Sequence, residues 1–186
     1  MADYPSGVYS PRTKENKPGV EYDASKATVG YAEDITKLDA EVVAIETELG
    51  ADPKGAWASV KARLDDLGKA AITFIIDGGG AEIETGEHGH LRIPFDCEIQ
   101  GVTLLGDQSG SIVIDIWKDT YANFPPTNAD SITASAPPTI STAQKSEDET
   151  LTDWTTTITA GDILAFNVDS VTDIQRVTII LEIVKT

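Results

Sequence analysis

The chain has little of what chemistry at a protein site usually requires. Its 186 residues include one cysteine, two histidines and one methionine. Cys97 has no partner for an internal disulfide, and its place between Phe95 and Ile99 reads as that of a small buried apolar residue. Basic residues are also few: 14 Lys and Arg stand against 31 Asp and Glu, a net charge of −17. The deficit is uneven, at −4 for residues 1–70 and −13 for residues 71–186. Such a surface repels phosphate, which argues against nucleic acid and against an anionic membrane as partners. It suits a soluble part displayed in many copies. No stretch approaches about 18 consecutive apolar residues, so no membrane-spanning helix is expected. No apolar run follows Met1, so no signal peptide is expected and synthesis is assigned to a cytoplasm.

Enzyme signatures are missing as well. Gly78-Gly79-Gly80 is followed by no helix and no Gly-Lys-Ser/Thr, so it reads as a hairpin turn, not a nucleotide loop. There is no Gly-x-Ser-x-Gly elbow, and Ser109 reads as a turn residue. Glu147-Asp148-Glu149 sits in a polar stretch without aromatic walls to raise a carboxyl pKa, and reads as a solvated charge run. No catalytic residue, no cofactor and no enzymatic activity are predicted.

What is present is a change of period. Ile35, Leu38, Val42, Ile45 and Leu49 are spaced 3, 4, 3 and 4 apart, an a/d seam narrow enough to face another helix. The helix should run from about Glu33 to Leu49, with Glu33 and Asp34 at the positive end of its dipole and Gly50 as C-terminal cap. A second helix is expected from an Asp52 cap and Pro53, with Trp57, Val60, Leu64 and Leu67 continuing the seam and Gly68 closing it. Each helix is marginal alone. A strict a/d seam without a third apolar position buries poorly in a monomeric hairpin, so self-association is expected, with two or three copies both open on the seam residues. Before it, residues 1–32 read as an extended arm. Pro5, Pro11 and Pro18 forbid regular structure, while Tyr4, Tyr9, Tyr22 and Tyr31 are too aromatic for an idle tail, which suggests a strap that docks on a partner.

From about Ala71 the pattern alternates with period two, broken by Gly, Pro, Asn and Asp. Ile112, Ile114 and Ile116 share one face of a strand, opposite Val113, Asp115 and Trp117. Leu164, Phe166 and Val168 point inward, as do Val177, Ile179, Leu181 and Ile183 in the last strand. Eight or nine short strands, two of them near Ile132 and Ile140, predict a β-sandwich of jelly-roll type over 71–186, with a long proline-bearing loop from Asp119 to Glu149. The chain thus divides into an arm (1–32), a helical stalk (33–70) and a β head (71–186).

Two constellations in the head are candidates for binding. His88 and His90 lie on one face of an extended segment beside Glu82, Glu84 and Glu87; two from each of three chains around an axis supply six nitrogens to a transition metal. Trp117, Tyr121, Phe124 and Trp154 with nearby carboxylates suit stacking on sugars, although core packing explains them equally.

Several runs resemble those of a known family. Tyr4–Val20 (YPSGVYSPRTKENKPGV), Tyr31–Asp34 (YAED) and Val43–Gly50 (VAIETELG) resemble the N-terminal module of tailed-phage fibre and appendage proteins. Phe74–Gly80 (FIIDGGG), Ile93–Phe95 (IPF), Val102–Lys118 (VTLLGDQSGSIVIDIWK) and Ser131–Pro138 (SITASAPP) resemble a β head recurrent in phage and prophage proteins. The resemblance spans nearly the whole chain and carries over no catalytic residue. It implies a homotrimeric structural protein of the virion, made in the host cytoplasm. Its arm would attach to a capsid or tail protein, and its head would serve host attachment through surface glycans or capsid decoration.

Overall fold

A computed structural model describes residues 32–50 and 52–186. The arm tyrosines Tyr4, Tyr9, Tyr22 and Tyr31, and the side chain of Ile35, lie outside the described residues. Two compact units divide at Pro53/Lys54. In the first, helix α1 spans Ala32–Leu49 and ends at Gly50, whose φ of +81° is the left-handed cap that glycine adopts without strain.

Helix α2 spans only Val60–Leu67. Its cap is Ser59, whose side chain accepts the Ala62 N–H at 3.1 Å, and not Asp52 as expected. Residues 53–56 form a turn in which Gly55 takes a φ of +57°, so the chain bends where a first helical turn was predicted. Trp57 falls outside the helix. The helix belongs with the head unit, not with α1: Gly68 follows it directly into the first strand, and Lys185 donates its N–H to the Gly68 carbonyl at 2.9 Å.

The protein is mainly β. Seven strands, β1 (Lys69–Asp77), β2 (Gly86–Arg92), β3 (Cys97–Asp119), β4 (Thr139–Asp148), β5 (Thr157–Ile158), β6 (Ile163–Thr172) and β7 (Arg176–Lys185), form one antiparallel sheet in the order β1-β7-β3-β6-β2, with β4 and β5 also on β3. The organising element is β3. Its residues 97–106 pair with β7 and its residues 111–119 with β6, so Cys97 lies opposite Lys185 and Asp119 opposite Ile163. The hairpin-like β6–β7 unit thus follows β3 from end to end, and both bend together near Gly106–Gly110 and Asp173–Gln175. β1 and β2 flank β7 and β6 in the same way, and β4 crosses the bend on the other side of β3. The result is a sheet creased into two arms, where two separate sheets were expected.

The crease needs glycine. A Cβ on Gly110 would stand 2.4 Å from the Thr172 carbonyl oxygen, and one on Gly78 2.3 Å from that of Ala81. Between the arms lies one core. Ile72, Leu104, Val177, Ile179, Leu181 and Ile183 come from the first arm, and Ile112, Ile114, Ile116, Leu164, Phe166 and Val168 from the second, all buried as their alternation predicts. A bulge between Ile99 and Gly101 shifts the parity of β3, so Ile99 and Val102 both point inward. Cys97 is buried, and loss of solvent, with Asp96 beside it, pushes its thiol pKa up.

The loop predicted from Asp119 to Glu149 is shorter than expected: the strand expected near Ile140 is β4, which runs over Thr139–Asp148, while near Ile132 there is only an isolated bridge between Ser131 and Trp117. Outside that loop, the turn predicted at Gly106–Gly110 is a bend inside β3. The remainder of the loop, from Thr120 to Pro138, reaches His90 of β2 through Phe124 and then returns along the free edge of β3. It donates the Ile132 N–H to the Ile116 carbonyl, and the Ile114 N–H is donated to Pro138.

Candidate functional site

Asp115 anchors that covering loop. It points outward from β3, opposite the three buried isoleucines, yet is itself buried. Its carboxylate accepts from Trp117 Nε1 at 2.7 Å, Ser131 Oγ at 2.7 Å and Thr133 Oγ1 at 2.5 Å. Three donors replace the water that burial removes, as a buried carboxylate requires. A carboxylate in an isoleucine-rich strand was the signal that sequence reading passed over.

The four aromatic residues predicted as glycan contacts separate here. Trp154 is 9% exposed and donates its indole N–H to the Ala136 carbonyl, so it packs in the core and offers no platform. Trp117 is half-buried and its N–H is committed to Asp115. Tyr121 and Phe124, in the covering loop, are 75% and 51% exposed. Phe124 meets His90 edge-on, with ring centroids 4.8 Å apart, which links the loop to β2.

The two histidines take separate roles. A bulge between Glu87 and Gly89 interrupts β2 there. His88 Nε2 lies 2.7 Å from the Glu84 carbonyl, which can only accept, so this nitrogen carries the proton. His90 Nε2 is sealed from solvent without a hydrogen bond, 3.4 Å from Glu87 Oε2. Among the described residues no three His, Cys, Asp or Glu side chains of one chain converge to hold a metal. What this corner offers is an exposed Phe124 ring against His90, whose Nε2 lies 3.4 Å from the Glu87 carboxylate, with Tyr121 exposed in the same loop.

The seam residues stand as follows. Leu38, Val42, Ile45 and Leu49 of α1 are each between 45% and 58% exposed. Trp57, Leu64 and Leu67 are also exposed, and Val60 is half-buried. No helix among the described residues is long and apolar enough to cross a membrane. The chain matches no protein-family model, and no curated protein matches it in sequence.

Proposed function

We propose that the protein is a non-enzymatic structural appendage of a tailed-phage virion, a homotrimer built through α1, anchored by its N-terminal arm and displaying the β head. The observation that carries self-association is the exposure of Leu38, Val42, Ile45 and Leu49 along one heptad seam. Four large apolar side chains left in water on one helix stripe are what a coiled-coil partner removes. The virion assignment rests on the sequence resemblance, as does the choice of three copies. The creased sheet, with paired strands passing together from one arm to the other, supports a jelly-roll reading of the head.

The arm is the anchor in this account. A chain beginning at Glu33 should fold and associate but fail to incorporate into particles; decoration at wild-type occupancy would refute the anchor. An antibody to the head, imaged on intact particles, separates many capsid sites from a few at the tail.

A second reading is that the head binds host glycans, favoured by the exposure of Tyr121 and Phe124 in one loop. Tyr121→Ala or Phe124→Ala should then abolish glycan-array binding, whereas silence of the wild type across a broad array removes this reading.

A further inference from the structure

The creased sheet has two outer faces, and they differ. On the second arm, Asp115 and Ala165 point outward and are buried, and residues of the 120–138 loop reach this face: Ser131 and Thr133 bond Asp115, and Phe124 meets His90. On the first arm nothing among the described residues covers the corresponding face. Ile75, Thr178, Leu105 and Lys145 form one row across β1, β7, β3 and β4, with Thr73, Ile180, Thr103 and Glu147 in the next. Ile75 is 56% exposed and Leu105 42%. Toward the α2 end the same face holds a groove of about 560 Å³ bordered by Lys69, Gln100, Glu182 and Val184.

We propose that this outer face is a second self-association surface, by which the head of one copy packs against the head of another. The reading rests on the self-association of α1 and extends it.

Charge selects the occupant. The head carries −13 from residue 71 onward, so identical copies repel over most of their surface. This face is mixed in sign: Lys69, Lys145 and Arg176, half of the six basic residues from position 69 onward, are interspersed with Asp77, Glu98, Glu147, Glu149 and Glu182, and Lys69 and Arg176 already pair with Asp66 and Asp77. A patch of mixed sign with apolar residues between its charges can meet its own copy with less repulsion than the rest of the head, and can set Lys145 against a partner's Glu182 or Glu147. Geometry adds the tether. Only twenty positions separate Leu49, the last seam residue, from Lys69, the first residue of this face. Copies joined through α1 therefore hold their heads at high effective concentration, where a weak face-to-face contact suffices.

The test uses sedimentation equilibrium on the full chain, comparing wild type, Ile75→Thr with Leu105→Thr, and Val42→Asp with Ile45→Asp. Threonine suits an exposed strand and leaves the net charge unchanged. The melting temperature of that double variant should stay close to wild type, because both side chains are exposed. Its dissociation constant should rise at least tenfold. Wild-type association by the threonine variant would overturn the head contact while leaving the α1 seam standing. Wild-type association by the aspartate variant, with loss in the threonine variant, would overturn the seam and leave the head contact as the interface. A monomeric wild type would overturn both. Should the threonine variant melt early, Leu105→Lys alone repeats the test and reduces the overall repulsion, so weaker association would still report a lost apolar contact.

Discussion

Phe74 and Phe166 stack with ring centroids 4.2 Å apart and planes only 8° from parallel, joining β1 of the first arm to β6 of the second. Phe166 is fully buried, and Phe74 also lies against Gly89 of β2, where a Cβ would come within 3.1 Å of its ring. The contact closes the crease: the rings come from opposite arms, so stacking requires both to be in place.

Phe166→Ala should therefore destabilise the head by about 3–5 kcal/mol, through lost transfer energy and the cavity left between the arms. Urea denaturation followed by far-ultraviolet circular dichroism reads it. A loss below about 1 kcal/mol would mean that the arms are held by their other contacts.

Removing the anchor of the covering loop should have a local signature. Asp115→Ala leaves the Trp117, Ser131 and Thr133 donors without their shared acceptor, at a cost of about 2–3 kcal/mol. Trp117 fluorescence should shift to the red as the loop lifts, while β3, β6 and β7 keep their amide protection. Asp115→Asn, which still accepts, should lose less.

The crease should also be sensitive to acid. Asp107 accepts the backbone N–H groups of Arg176 and Gln175, each at 3.1 Å, and these bonds, led by that of Arg176, hold its carboxyl below the ordinary value of 3.8. Asp119 is lowered in the same sense by the Thr120 N–H and the Asn123 amide. A carboxyl with a depressed folded pKa contributes stability that is present above its unfolded value and lost as pH falls through the folded one. Melting temperature should drop between about pH 4 and pH 2, and Asp107→Asn should flatten part of that drop. Superimposable profiles would exclude Asp107 from the linkage.

Much of the head was legible because its strands are buried on one face. Val177, Ile179, Leu181 and Ile183 alternate without interruption, and all four are buried. Strand β4 was legible only as a short strand near Ile140, and its length was missed, for the opposite reason. Thr139–Asp148 contains a single large apolar residue, Ile140, and owes its extended form to pairing with β3, a partner no local pattern reveals. The bend in β3 misled because Gly-Asp-Gln-Ser-Gly is ordinary turn chemistry, here used to crease two strands at once. Asp52-Pro53 likewise has the chemistry of a helix start, but Gly55 two residues later turns the chain away and Ser59 takes the cap. At the candidate site, Tyr121 and Phe124 were legible as exposed aromatics. Trp154 was not separable from them, since burial depends on Ala136 and the core around it, far from it in sequence.

The mass of the full chain in solution tests the central claim most directly. Light scattering at micromolar concentration should give about three times the 19.8 kDa of one chain. Val42→Asp with Ile45→Asp should return a single-chain mass with the β circular dichroism signal of the head intact, because both side chains are exposed on α1. A wild-type chain that remains at 19.8 kDa across the concentration range would contradict the account.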